Sequence, residues 1–504
     1  MKVLAITAHS ASFELEGNSA PYFSPQEFDV YLNGAFARRE RRNVFSVFGL
    51  QPQTEYAVEA CGESARFVSG RESALFNVCD FKTDGTDDTE AFSAAISCLP
   101  ENSTLYVPAG TYYLRPLFLK SNMTLWLDSG ATLIAHPDRS AYPVLPALIG
   151  GDNLGTWQGE EADCFASLIT AYNQTGIRII GEGVIDCNAL AGDWYENHRV
   201  KRGAWRPRGI FLNRCKDVLL QGVTVKNTPS WNIHPYFCRN VEIYDVTLEN
   251  IPDMPTTDGI DPDCCDGVEI AGVKISVGDD CIAIKSGTLE FAKKYGAPCK
   301  NITVRNCIMR EGHGGVVLGS ELSGGIENVT VNRCLFEGTD RGLRIKTRRG
   351  RGRTGKCDGI TFSDIEMRGV KVPFVVNMYY NMGDENGHTE YVWTTEKRPG
   401  DERTPEIGAF AFENMRCYGA EYCAGAFYGL PEAPIGGVSF KNVSFTFSEN
   451  ARAGYPDMKE KNEKVCRGGL YFLNVKNVCL ENVTVEGADG KPVILDGVEN
   501  FSEK

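Results

Sequence analysis

Four polar clusters follow one another between Thr256 and Lys346. They read T-T-D-G-I-D-P (Thr256–Pro262), G-D-D-C-I-A-I-K-S-G (Gly278–Gly287), G-H-G-G-V-V-L-G-S-E (Gly312–Glu321) and R-G-L-R-I-K (Arg341–Lys346). Together they supply the aspartates Asp258, Asp279 and Asp280, the histidine His313, and the basic pair Arg344 and Lys346. Carboxylates crowded into one site cannot all ionise easily, so one keeps its proton while another stays charged. Glycoside cleavage needs that division: a protonated carboxyl for the leaving oxygen, and an ionised one as nucleophile or as base for water. A basic pair suits an acidic sugar, because Arg matches a carboxylate fork and Lys adds a point charge.

The elements that must bring these residues together are short strands. Runs such as Val218–Leu220, Val241–Ile243, Val268–Ile270, Ile302–Val304, Val329–Val331 and Ile360–Phe362 recur at intervals of roughly 23 to 34 residues, the length of one solenoid coil. Several are followed by a second short strand, and Asn240, Asn301 and Asn328 mark turns. No helical pattern alternates with them, which excludes a βαβ sheet. Stacked coils would superpose the four clusters in one patch. Arg344 and Lys346 alternate with Leu343 and Ile345, so they share the face opposite that apolar pair. Asp279 and Asp280 are adjacent and would face opposite ways in a regular strand, so both reach one site only if the backbone bends, which Gly278 permits. The run Arg341–Lys356 reads as a local positive patch on a chain whose net charge is −14.

The four ordered clusters resemble those of the polygalacturonases, pectin-cleaving glycoside hydrolases, and the likeness runs from about Phe81 to the C-terminus. It implies an all-β fold: a right-handed parallel β-helix over 76–504, behind a small β-sandwich over 1–75. It also implies that Asp279 is the general acid, that Asp258 and Asp280 hold and activate water, and that the bond is cleaved with inversion. His313, between two glycines, would orient and tune the acid. Arg344 and Lys346 would bind the substrate carboxylate, with His234, Lys285 and Tyr380 as further substrate contacts; S-W-N-I-H-P (Ser230–Pro235) is similar to a W-x-I-H-P of bacterial members. Thr256 stands where the family usually has Asn. Asp261 reads as structural. The family's D-G-x-x-D-T-x-A-[FI] entry is matched from Asp84 to Phe92. There Asp84-Gly85 reads as a turn, Asp87 or Asp88 as a helix cap, and Phe92, Ala95, Ile96 and Leu99 as the apolar face of a helix covering the solenoid's open end.

In residues 1–75 the alternating runs around Phe13 and Phe28–Leu32, the turn Asn33-Gly34 and a strand over Asn43–Phe48 read as a small β-domain. Leu50-x-Pro52-x-Thr54-x-Tyr56 resembles the corner of fibronectin type III domains, where a Tyr hydroxyl ties the backbone. The acidic balance argues against nucleic acid or an anionic membrane as partner. Cysteine is plentiful without C-x-x-C spacing, and Cys215, Cys238, Cys307 and Cys334 read as stacked core thiols. Met1–Ser12 has no signal-peptide pattern, so a native start would place the protein in the cytoplasm. No cofactor and no metal is expected, the partner is an acidic oligo- or polysaccharide such as galacturonan, and oligomeric state is open. Two rival readings remain: a pectate-lyase-type β-eliminating enzyme, with the aspartates holding calcium, and a non-catalytic polysaccharide-binding β-helix. Three segments could close one end of the site and make it act on chain ends: the N-terminal domain and the aromatic-bearing insertions Asn188–Arg208 and Tyr379–Arg403.

Overall fold

A computed structural model of the chain describes residues 1–82, 87–381 and 389–504. Asp84-Gly85 and part of the second insertion lie outside the described residues.

From Leu75 onward the chain winds as a right-handed parallel β-helix. Its coils contribute paired strands such as Lys216–Gln221 with Thr224–Lys226 and Arg239–Tyr244 with Thr247–Glu249. The ladder is in register, so like residues stack: Val218 on Val241, Val241 on Val268, Val268 on Ile302, and Ile302 on Val329. All five are buried. Burying such a side chain contributes about 1.5–3 kcal/mol, so the repeated aliphatic column drives coil stacking. Asn240, Asn301 and Asn328 occupy the left-handed region at each turn, which Asn tolerates. Their side chains reach back one coil, as in Asn301 Nδ2 donating to Asp266 Oδ1 at 2.7 Å. Buried thiols do the same: Cys238 donates to the Leu212 carbonyl and Cys265 to that of Pro235, both at 3.2 Å.

A helix, Thr89–Cys98, closes the N-terminal end, with Phe92, Ala95 and Ile96 in the β-helix core. Asp88 occupies the cap position without a side-chain cap bond; its carboxylate accepts from Tyr113 N at 3.0 Å, while Asp87 Oδ1 accepts from the Thr89 N–H at 2.8 Å.

Residues before Leu75 form seven strands in two antiparallel sheets. One holds Lys2–Ile6, Ser10–Glu14 and Val44–Phe48; the other holds Ala35–Arg42, Phe23–Leu32, Glu55–Ala60 and Glu63–Val68. Phe13, Phe45, Val30, Val58 and Phe67 fill the space between them. Asn33 and Gly34 both have positive φ, as a tight hairpin turn requires. The Tyr56 hydroxyl accepts from Gln51 N at 2.9 Å, tying the corner. The last sandwich strand ends at Val68, and Leu75–Asn77 already pairs with Ser103–Val107 of the helix. No helix among the described residues is long and apolar enough to cross a membrane.

Candidate active site

The site lies where one wall of the β-helix is interrupted. Upstream, Leu117–Phe118, Ile169–Tyr172, Ile210–Asn213 and Ile233–Tyr236 form a parallel sheet; downstream, Asp280–Ile284, Gly314–Gly319 and Arg341–Lys346 begin another. Between them the 258–263 coil makes isolated bridges, Ile260 to Ile233 and Ile282, and Asp263 to Tyr236 and Lys285. Asp258 enters on this irregular coil, Asp280 opens the next strand, and Gly314, beside His313, pairs with Asp280. Arg344 and Lys346 follow one coil on, paired with Val317 and Gly319, while Leu343 and Ile345 point into the core.

Asp258, Asp279 and Asp280 each offer one oxygen within 4.8 Å of the others. Asp279 stands just before the strand, so it escapes the alternation that would turn it away. Gly278 serves this by close approach and not by an unusual bend: a Cβ there would meet Met254 N, with Met254 O at 2.5 Å and Ile251 O at 2.8 Å.

The three carboxyls are held differently. Asp279 Oδ1 is 3.3 Å from His313 Nδ1, and its Oδ2 accepts from Thr256 N at 3.0 Å. Burial pushes this carboxyl up, but the hydrogen bond and charge of His313 and the Lys346 ammonium outweigh it and hold Asp279 well below the usual range. His313 is raised in turn, chiefly by its bond to Asp279. Asp258 is buried and pushed well up, by burial first and then by Asp279, against the pull of Lys285. Asp280 Oδ2 accepts from Lys346 Nζ at 2.6 Å, with Arg344 Nη1 3.6 Å from Oδ1. Proton affinity in this cluster is therefore raised at Asp258 and His313 and lowered at Asp279, the residue that the resemblance makes the general acid.

A cavity of about 510 Å³ opens over Asp279 and His313, a size typical of small-molecule sites. Arg344, Lys346 and Tyr380 line it as expected. Yet Arg344 donates to Asp457 Oδ1 at 2.5 Å, and both basic groups lie near the Tyr380 ring, at 5.6 and 5.5 Å. Their charges are already matched inside the protein.

Two expected substrate contacts are not at the surface. His234 is fully buried, edge-on to Trp231 at 4.7 Å, and burial holds its imidazole neutral. It is packed behind the cavity because its strand turns this side chain under Trp231. Lys285 is also buried, 3.8 Å from Asp258 and 3.7 Å from Glu321; it supports Asp258 from behind and lines no part of the cavity. Asp261 is buried, and its carboxyl, pushed up by burial and by Asp258, has no hydrogen-bond partner among the described residues. The basic run beyond Lys346 is not an open patch: Arg349 is paired with Glu432, Arg351 with Glu321 at 3.2 Å, and Lys356 with Asp358 at 2.7 Å. Burial would raise Glu321, but Lys285 and Arg351 hold it down at about 2.

Several cavity residues were not singled out from the sequence. Trp157 and Gln158 come from a hairpin, Thr156–Trp157 with Glu160–Glu161, and Met458 from a loop beside Asp457. His198, Arg199, Trp205 and Arg206 come from the first insertion. Of these, the sequence had pointed to Trp205 through the aromatics of the insertion, while His198, Arg199 and Arg206 carried no such signal. Trp157 stacks parallel between Trp205, at 4.9 Å, and Trp231, at 5.9 Å, making one wall. The N-terminal domain takes no part. It packs on the corners between paired strands, where Arg42 meets Asp245, Gln221 bonds Ser10 and Ser12, and Glu14 meets Arg305.

A right-handed β-helix carrying a carboxylate trio, a histidine and a basic pair over a sugar-sized cavity defines a polysaccharide-cleaving β-helix enzyme. The model of Glycosyl hydrolases family 28 matches residues 101–394. The chain is 32% identical over 403 residues to a probable polygalacturonase of Vitis vinifera, covering 78% of each. It is 28% identical to an endo-polygalacturonase of Pectobacterium carotovorum subsp. carotovorum, over 64% of this chain and 80% of that one. Its fold superposes on a hyperthermoactive exopolygalacturonase from Thermotoga maritima with a TM-score of 0.65, at 25% identity, over 82% of this chain and 93% of that one. The chain belongs to glycosyl hydrolase family 28, the polygalacturonase family, and is a glycoside hydrolase.

Proposed function

We propose that this enzyme hydrolyses α-1,4-galacturonosidic bonds from a chain end, releasing single galacturonate residues with inversion at the anomeric carbon. The observation that carries the end-on reading is the wall of Trp157, His198, Trp205 and Arg206 on the upstream side of the cavity. On the downstream side Met458 is shared with a second cavity of about 660 Å³, lined by Arg341, Lys459, Lys461 and Lys464. A chain blocked at one end and led out over lysines at the other suits an anionic oligomer. Exo- and endo-acting enzymes both occur among the relatives, so similarity does not choose between them.

In the proposed reaction Asp279 and His313 act as one proton-holding pair. A uronate pressed against Asp279 displaces water and adds negative charge, and both raise the carboxyl pKa. The proton then moves from His313 Nδ1 to Asp279 and on to the leaving oxygen as the C1–O bond breaks. Water held between Asp258 and Asp280 attacks C1 and yields its proton to Asp280. Pairs of catalytic carboxyls about 5 Å apart usually accompany retention, and 6.5–9.5 Å inversion; the 4.8 Å grouping is on the retaining side of that rule. Inversion is preferred here because neither partner is a free nucleophile: Lys346 holds Asp280, and burial together with Asp279 pushes the Asp258 carboxyl up.

Time courses on polygalacturonate and on trigalacturonate, followed by chromatography and proton NMR, test this. Early monogalacturonate, slow loss of viscosity and first appearance of the β-anomer are expected. Mid-length oligomers with rapid loss of viscosity would reject end-on action, and an initial α-anomer would reject inversion.

A further inference from the structure

The cavity wall holds a buried cation, Arg206, that no acid among the described residues answers. Arg206 is 3% exposed. Its Nη1 donates to the Pro229 carbonyl at 2.7 Å and its Nη2 to Thr256 Oγ1 at 2.5 Å, while Nε has no partner. Its guanidinium lies 5.5 Å from the Trp157 ring and 5.7 Å from that of Tyr195. The acids lining the cavity are Asp253 and Asp279, and neither makes an ion pair with it among the described residues. The cations nearest the aspartates have carboxylates: Arg344 has Asp457, Lys346 has Asp280, and Lys285 lies between Asp258 and Glu321; Arg208 is buried without an ion pair among the described residues but is packed against Trp157 and Trp231 and, unlike Arg206, does not line the cavity. Burying an unpaired charge is strongly unfavourable, so a protein keeps one where a ligand supplies the counter-charge.

Thr256 gives a second reason. It is β-branched, yet sits in the left-handed region at φ +60, a strained conformation for such a residue. There its hydroxyl donates to the Pro255 carbonyl at 2.6 Å and accepts from Arg206, while its N–H reaches Asp279 Oδ2 at 3.0 Å. The substitution that departs from the family's usual Asn is thus the link between Arg206 and Asp279.

We propose that Arg206 binds the carboxylate of the sugar held at the walled end of the cavity, making this arginine, not Arg344 or Lys346, the group that selects an anionic residue there. The proposal rests on the end-on reading for which sugar is held, the terminal one. A guanidinium with free N–H groups matches a carboxylate geometrically, and a neutral sugar would leave the charge uncompensated. Arg206 is a specificity residue; it touches the substrate and moves no proton.

The test compares competitive inhibition by D-galacturonate and by D-galactose in the full chain, for wild type, Arg206→Gln and Arg206→Lys, with thermal unfolding of each. Wild type is expected to prefer galacturonate, and Arg206→Gln to weaken it by about 10- to 100-fold, the value of a charge-assisted hydrogen bond. Galactose should change little and Arg206→Lys should keep part of the preference. Without ligand, Arg206→Gln should unfold no earlier than wild type, since an unpaired buried charge is removed. Equal weakening of both sugars, or undiminished preference in Arg206→Gln, overturns the proposal; so does a fall in unfolding temperature that accompanies equal weakening, the mark of a purely structural clip. The wild-type product profile judges end-on action separately, because the two sugars report on Arg206 whichever way a polymer is cut.

Discussion

In the proposed reaction Asp279 is the residue on which the chemistry turns, and its surroundings explain why. It is the only one of the three carboxyls tied both to an imidazole, at 3.3 Å, and to a backbone N–H, at 3.0 Å. An amide at this position keeps the shape but cannot pass a proton to the leaving oxygen. Asp279→Asn is expected to lower kcat by about 10²- to 10⁴-fold, the usual worth of a positioned acid, with oligogalacturonide Kd little changed. Activity near wild type would remove Asp279 from the role. In the proposed reaction the same pair would set the alkaline limb in wild type. His313 is raised by Asp279, so the pair keeps its proton past the ordinary imidazole value and loses it as pH rises through the raised one. The fall in kcat/KM should therefore begin above pH about 6.5; a limb centred below that value would contradict the pairing.

At the scale of elements, the site depends on one coil being irregular. Residues 258–263 join two sheets through isolated bridges at Ile260 and Asp263 and form no continuous strand, which frees Asp258 from strand alternation. The 251–254 turn then passes so close to Gly278 that no side chain fits. Gly278→Ala would force backbone against backbone. The expected cost is about 1–3 kcal/mol, as for overpacking, with a loss of kcat, because the shift is transmitted to Asp279 next door. Thermal unfolding with kinetics checks this, and an unchanged Tm would show that the turn yields freely. The walls are the other element-scale feature. The Asn188–Arg208 insertion and the 156–161 hairpin close the upstream side through stacked indoles, whereas Trp194, also in the insertion, is fully buried and serves only its packing.

Across the whole molecule, the sandwich and the β-helix are joined by buried polar contacts far from the cavity. Glu14 accepts from Arg305 at 2.9 Å, Asn306 at 2.7 Å and Arg333 at 2.5 Å. Glu14→Ala leaves these donors short of an acceptor in a buried interface, and breaking one side of such a pair costs about 3 kcal/mol. Denaturant unfolding should show that loss, while kcat on trigalacturonate stays near wild type, because no sandwich residue lines the cavity. A matching loss of activity would mean that the interface reaches the site.

How much was legible in the sequence follows from what is periodic. The Val218–Val241–Val268 column repeats coil by coil, and Leu343 and Ile345 alternate with Arg344 and Lys346, so the fold and the facing of that basic pair were readable from spacing alone. The ordered clusters likewise announced that Asp258, Asp279, Asp280 and His313 would meet. Three-dimensional neighbours without a fixed sequence offset could not be read. Asp457 neutralises Arg344 across more than a hundred residues, Glu321 and Glu432 take up the basic run, and Trp231 covers His234. Which charges remain unpaired is a property of the folded interior, because an ion pair depends on distance and burial and not on residue type. For that reason Arg206, unremarked in the sequence, became visible as a cavity-lining cation without an acid among the described residues only when the coils were stacked.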